Sequence, residues 1–277
     1  MQASPSSQLG LRLISAMVLI AILLVIGVLG RPALLLFALI VAIGLQYEWN
    51  QVAKNINGLQ GQLGDKLWLM TALVTSLGVV VDQPLSLAVL ALVAIPTITL
   101  SIVMIKGTTE AFNKGLIFSV TVAQWVFMFY GLVLPLVCLS IIKLPKGSAW
   151  FFLLLFVALG TDTLAYFAGK KWGKALLAPE ISPGKTREGA LGGLVGSLLF
   201  GLLALALFSP ELPPLKTVIV ALGAGPMAIA GDLWESLLKR LAGVKDSGQL
   251  IPGHGGIMDR IDSILWVAPW VYAIAIL

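Results

Sequence analysis

Apolar residues run in long unbroken stretches along this chain. They do not follow the 3.6- or two-residue rhythm of a helix or strand with one face in water. Nine stretches stand out, at 13–30, 32–47, 67–81, 84–105, 115–142, 148–168, 190–208, 215–235 and 262–277. A helix of about 20 apolar residues crosses the ~30 Å hydrocarbon layer of a bilayer. Irregular backbone at that depth would leave its polar groups unpaired. The pattern therefore predicts an all-α fold, a polytopic integral membrane helix bundle with about nine transmembrane helices. Leu13–Gly30 sits where a secretory leader would, but no small-residue cleavage site follows it. A second apolar run starts at Pro32, so the first reads as an anchor.

Composition strengthens this picture. The chain of 277 residues is 58% hydrophobic and 11% charged, against about 25% charged in a soluble domain. Too little polar surface is left to cover a water-soluble globule. The net charge of +5 is not a nucleic-acid signal in such a chain, because basic residues of membrane proteins gather in cytoplasmic loops. Nine spans place the N-terminus and the loops near 46–66, 106–114, 169–189 and 236–261 on one side, with 14 of the 18 basic residues. The other side has Arg31, Lys143, Lys146 and Lys216. The expected setting is the cell membrane, with the richer side in the cytoplasm. The single cysteine, Cys138, rules out an internal disulfide and a cysteine-rich metal site.

Charge also divides the chain along its length. Residues 160–262 hold 19 of the 31 charged residues. The expected organisation is an N-terminal transmembrane scaffold over 1–147, with about five spans. A C-terminal catalytic region over 148–277 follows, with about four. Gly189, Gly192, Gly193 and Gly196 open the seventh span at the small-residue spacing of close helix packing.

The densest polar segment runs from Asp232 to Asp262. Asp232, Glu235, Ser236 and Lys239 recur at intervals of three or four and share one helix face. Ionisable residues near membrane depth are costly and face a cavity or a partner. Gly253, Gly255 and Gly256 bracket the only histidine, His254, and a glycine-rich loop lets backbone N–H groups approach phosphate oxygens. Asp259 and Asp262, three apart, fall on one face of the helix that follows. Carboxylates near cations suggest a divalent ion bridging phosphates, since Mg²⁺ takes one or two carboxylates plus substrate phosphates. Lys239, Arg240, Lys245 and Arg260 supply cations for phosphate oxygens. Metal, cations and a glycine loop together point to phosphoryl or nucleotidyl transfer. A lipid-headgroup anchor explains the cations but not the carboxylates.

A second cluster holds Asp162, Lys170, Lys171 and Lys174, then Ser182-Pro-Gly-Lys-Thr-Arg-Glu-Gly189. Gly184-Lys185-Thr186 is not a P-loop, because the first glycine of that pattern is missing. Serine, threonine and lysine after a glycine still suit phosphate.

Ser236-Leu-Leu-Lys-Arg240, Lys245-Asp246 and His254-Gly-Gly-Ile-Met-Asp-Arg-Ile-Asp262 resemble the signature of the phosphatidate cytidylyltransferase, or CDP-diacylglycerol synthase, family. Each fixed position of that signature is filled. Asp162-Thr-Leu-Ala-Tyr-Phe-Ala-Gly169 and Leu177-Ala-Pro-Glu-Ile-Ser-Pro-Gly-Lys-Thr186 also resemble family segments, although Arg187 stands where the family often has an aromatic residue. The resemblance implies condensation of CTP with phosphatidate, a membrane lipid, to CDP-diacylglycerol and pyrophosphate. It implies Mg²⁺ and, in some members, a second, monovalent cation such as K⁺. It makes Asp232 and Asp259 the principal metal ligands, with Asp246 and Asp262 weaker candidates for the same site. Ser182, Lys185, Thr186, Ser236, Lys239, Arg240, Lys245 and Arg260 become substrate contacts. His254 lies at the substrate site, either in a catalytic role or ordering the glycine turn. A homodimer is a family expectation. Two rivals stay open: a CTP-dependent kinase of a polyprenol or other lipid alcohol, and an ion-coupled transporter using intramembrane carboxylates.

Overall fold

In the computed structural model, residues 29–55, 134–207, 211–251 and 255–277 are described, with Val18, Ile22 and Val25 upstream. Six helices and one small hairpin make up this part: α1 (Arg31–Lys54), α2 (Leu134–Lys143), α3 (Gly147–Trp172), β1 (Leu176–Ala178), β2 (Ser182–Thr186), α4 (Arg187–Leu207), α5 (Pro214–Leu241) and α6 (Met258–Ile276). Among the described residues, four helices, α1, α3, α4 and α5, are long and apolar enough to cross a membrane. The expected spans at 67–81 and 84–105, most of 13–30 and most of 115–142 lie outside the described residues.

Two expectations are corrected. The fold is mostly helical but not all-α, because β1 and β2 pair antiparallel, Leu176 with Thr186 and Ala178 with Ser182. Pro183 and Gly184 are poor helix formers, and the backbone groups of this polar turn are satisfied across the hairpin. The second apolar run was expected to end at Tyr47 and give way to a loop. Instead α1 continues to Lys54, so Glu48 and Trp49 are helical and buried.

Local sequence explains the element ends. Proline stands at the start of α5, where its missing N–H costs nothing. The same helix ends at Gly243, which has φ +69°. There the Val244 N–H donates to the Lys239 carbonyl at 2.9 Å and the Gly243 N–H to the Arg240 carbonyl at 3.1 Å. This is a Schellman stop. It turns the chain sharply between the cations Lys239 and Arg240 on the helix and Lys245 beyond it.

The helices pack around a core that includes Val137, Ile141, Leu153, Val157, Val220, Ala224, Val267 and Val271. Contact between α3 and α4 is closest along the glycine stripe. A Cβ on Gly192 would stand 2.3 Å from the Ala168 Cβ, and one on Gly196 would stand 2.1 Å from the Gly160 carbonyl oxygen. The small-residue spacing thus sets this interface, and the opposite face of α4 leaves Leu191, Val195, Leu199 and Leu202 exposed for lipid.

The bundle has two distinct ends. At one, Lys146 Nζ donates to the Glu211 carbonyl, and Lys216 Nζ donates to the Ala275 carbonyl at 3.4 Å. The other end gathers the C-termini of α1, α3 and α5, the hairpin and the N-termini of α4 and α6. Exposed Tyr166, Phe167 and Trp172 ring this second end, with Lys171 over the Trp172 ring at 4.8 Å. Aromatic and basic residues together suit a membrane–water interface.

Gly196→Leu should force α3 and α4 apart and cost about 1–3 kcal/mol or more by overpacking. The expected result is a lower melting temperature in detergent. Gly184→Ala, with open space around its Cβ position, should leave it unchanged.

Candidate active site

The polar end is held by side chains that reach between elements. The hairpin carries Lys185 over to α5, where its Nζ stands 2.5 Å from Asp232 Oδ2. Two turns further along α5, Lys239 Nζ donates to Asp259 Oδ1 of α6 at 2.7 Å and stands 3.4 Å from Glu235 Oε1. Ser263, also on α6, donates from Oγ to Asp162 Oδ2 of α3 at 3.0 Å. Asp162, Asp232 and Asp259, from α3, α5 and α6, therefore belong to one linked centre. Glu235 and Asp262 are buried within it, at 1% and 8% exposure.

Asp259 is the most tied of the carboxylates. Besides Lys239, its Oδ2 accepts from the backbone N–H of Gly256 at 2.9 Å and of Ser247 at 3.0 Å. It stands in the first turn of α6, ahead of the apolar stretch 262–277. Burial raises the cost of ionising it, but the bond from Lys239 and the N–H of Gly256 and Ser247 outweigh that cost. Its carboxyl is held below the ordinary carboxylate value.

Beside this centre lies a cavity of about 370 Å³. Asp162, Tyr166, Lys170, Lys185, Thr186 and Asp232 are among its lining residues. It carries both signs of charge on apolar walls, as a site for a charged molecule requires. Thr186 has a second task. Its Oγ1 accepts from the Gly189 N–H at 3.1 Å and so caps α4. Glu188 accepts from the N–H of Lys174 at 3.0 Å, and the Arg187 N–H donates to the Ala175 carbonyl at 2.8 Å. The hairpin is thereby fastened to the start of α4, and Arg187 is placed as an exposed first helical residue.

The residues predicted from sequence divide into three groups. Lys185, Thr186, Asp232, Lys239, Asp259 and Asp262 come together across β2, α5 and α6. Ser182 and Ser236 are half-buried on β2 and α5, while Arg240, Lys245, Asp246 and Arg260 are exposed around the same end. The Asp246 Cβ and Asp259 Oδ2 both lie within 4 Å of the position a Cβ would take on Gly255, so those two acids flank one turn. His254 lies outside the described residues. Among the described residues no three or more Asp, Glu, His or Cys side chains form a ready-made metal cage. The available donors are carboxylate oxygens, which fit a hard divalent ion that completes its shell with phosphates and water.

Two residues here escaped the sequence reading of the site. Ser263 was hidden in an apolar span. Glu48, on α1, was assigned to scaffold; its Oε2 accepts from the Met258 N–H at 2.9 Å and from Ser247 Oγ at 3.3 Å. A carboxylate directly following an apolar run was the available signal for Glu48.

Comparison with known proteins now decides the family. A profile of the cytidylyltransferase family matches residues 10–277. The chain belongs to that family. It is 44% identical over 126 residues to a phosphatidate cytidylyltransferase of Bacillus subtilis, covering 46% of this chain and 47% of the relative. It is 42% identical over 126 residues to one of Haemophilus influenzae, covering 43% and 44%. With one of Brucella abortus it shares 31% identity over 266 residues, covering 96% of this chain and 93% of the relative. The chain thus spans less than half of the length of the first two relatives and nearly all of the third. The family match covers residues 10–147 as well as the polar centre.

Thr186→Ala should remove the α4 cap and cost about 1 kcal/mol, read as a lower melting temperature in detergent. Thr186→Ser keeps the accepting oxygen and should melt close to the parent protein. Equal melting of all three would show that the cap carries no stability.

Proposed function

We propose that the protein is a phosphatidate cytidylyltransferase, condensing CTP with phosphatidate to give CDP-diacylglycerol and pyrophosphate. One observation carries this reading. Residues of the family-like segments and Asp232, brought from β2, α5 and α6, meet beside a charged cavity at one end of an apolar bundle. A water-soluble nucleotide and a membrane lipid can meet only at such a boundary. The relatives bear that name.

The chemistry is a direct displacement. A phosphate oxygen of phosphatidate attacks the α-phosphorus of CTP, the bond from that phosphorus to the bridging oxygen of the β-phosphate breaks, and pyrophosphate leaves. The attacking oxygen is already ionised, so no side-chain nucleophile is required. Lys185 and Lys239 hold negative oxygens, with Arg240, Lys245 and Arg260 around them; positioning and charge neutralisation dominate such transfers. Ser182, Thr186 and Ser236 add neutral donors. His254 keeps the two roles the resemblance leaves open, a catalytic one or ordering the glycine turn.

Mg²⁺ fits the oxygen-only donor set and, when bound, supplies positive charge to the leaving pyrophosphate. Asp232 and Asp259 would hold it, with Asp246 and Asp262 as further candidates; a monovalent ion such as K⁺ has the same hard-oxygen donors available. Each of the two principal acids now bonds a lysine, so a divalent ion would share it with or displace that lysine. The rest of the reading follows the same logic. The polar end faces the cytoplasm of the cell membrane, residues 1–147 act as scaffold and 148–277 as the catalytic region, and two copies associate.

The product identifies the reaction. In detergent, with phosphatidate and Mg²⁺, α-labelled CTP should pass its label into lipid, and γ-labelled CTP should yield labelled pyrophosphate. Transfer of the γ-label to a lipid alcohol would mean a kinase, and no transfer at all would reopen transport. Asp259→Asn should lower turnover by about 100-fold or more while the protein stays folded. Near-normal Mg²⁺-dependent activity would remove Asp259 from the metal set. Lys239→Ala should lower activity far more than it lowers the melting temperature; loss through unfolding alone would make Lys239 a structural residue.

A further inference from the structure

Glu48 lies on α1, about two hundred residues away in sequence from both of its hydrogen-bond partners, and is 1% exposed. Both of its hydrogen bonds go to the loop between α5 and α6. Its Oε2 accepts from the Met258 N–H, the first residue of α6, and from Ser247 Oγ. The residue preceding α6, Ile257, provides no side-chain cap. A helix N-terminus exposes unpaired N–H groups and a partial positive charge. Glu48 supplies the missing acceptor and the complementary charge from a different helix.

The loop is shaped to admit this carboxylate. A Cβ on Gly256 would stand 2.4 Å from Glu48 Oε2, and one on Gly248 would stand 2.6 Å from Oε1. Ser247 and Gly256 are also the two residues whose backbone N–H groups bond Asp259. The same two residues are gripped from opposite sides, by Glu48 through the Ser247 hydroxyl and the space left at Gly256, and by Asp259 through their amides. Burying a carboxylate without a cation is costly. Among the described residues no lysine or arginine pairs with Glu48, and its Oε1 has no hydrogen-bond partner. Packing alone would be served better by an apolar side chain.

We infer that Glu48 is a positioning residue of the catalytic centre, fixing Ser247, Gly256 and the start of α6 so that Asp259 is presented to metal and phosphate. It touches no reacting atom. It acts through Ser247, Met258 and Asp259, and it makes the N-terminal scaffold a contributor to the site. Its kinetic consequence rests on the cytidylyltransferase reading; its structural consequence does not.

Two arms test it on the full chain in detergent. In the first, Glu48→Ala should raise the Mg²⁺ concentration needed for half-maximal activity, or lower turnover, by roughly 10–100-fold, the usual effect of losing a partner behind a metal ligand. Its melting temperature should stay near that of the parent. Glu48→Gln, which keeps an accepting oxygen for Met258, should recover a large part of that loss. In the second, hydrogen exchange at Ser247, Gly256 and Met258 should speed up by about tenfold or more in Glu48→Ala, with α3 and α4 unchanged. Unchanged exchange at those three amides overturns the inference, as does parent-like Mg²⁺ dependence and turnover in Glu48→Ala, or loss of activity only in step with unfolding. If the parent protein makes no labelled lipid, the proposed reaction fails, and the exchange arm still decides the role of Glu48.

Discussion

Charged side chains at the end of an apolar bundle persist only if they find partners there, and that constraint shapes this molecule. Water does not reach such groups freely, so desolvation must be offset by opposite charge and hydrogen bonds. Here the partners come from different elements: Lys185 of β2 for Asp232 of α5, and Lys239 of α5 for Asp259 of α6. Each pair fixes the relative placement of two segments. The close packing of α3 against α4 through glycines then brings the hairpin, Asp162 and the cavity to the same place. The polar centre therefore ties α3, α5, α6 and the hairpin together at one end.

The same arrangement suits the two unlike substrates of the proposed reaction. A nucleotide needs cations, N–H donors and access to water. A lipid needs an apolar flank. The exposed aliphatic residues of α4 and the aromatic and basic rim of α3 give this end of the bundle both surfaces. Lysines that pair with carboxylates in the protein alone have ammonium groups ready for phosphate oxygens, so the bonds that hold the centre together also define what it can exchange them for.

Much of this was legible in the sequence, for physical reasons that also mark where reading stops. Long apolar stretches announce helices because lipid allows little else. The described spans 148–168, 190–208, 215–235 and 262–277 correspond to α3, α4, α5 and α6 within a few residues. The glycine stripe and the acid–base cluster between 232 and 262 were visible because spacing alone carries the information. The hairpin was not, since five residues holding Pro183 and Gly184 show neither helical nor alternating rhythm. Glu48 was missed for a different reason. Hydropathy ended its helix at Tyr47, whereas Glu48 is buried because a loop two hundred residues later supplies the donors. Ser263 hid in an apolar run for the same cause. Such pairings depend on tertiary placement, which one sequence does not print.

The central claim is that the cavity beside Lys185 and Asp232 and the acid at Asp259 form one nucleotide site. A structure determined in detergent with Mg²⁺ and a CTP analogue resistant to cleavage tests it most directly. The triphosphate should lie between the cavity and the start of α6, within bonding distance of Lys185 and Lys239, with the metal on Asp232 or Asp259. A nucleotide seated instead on the exposed basic turn at Lys170–Lys174, leaving both acids bonded to their lysines, would contradict the account.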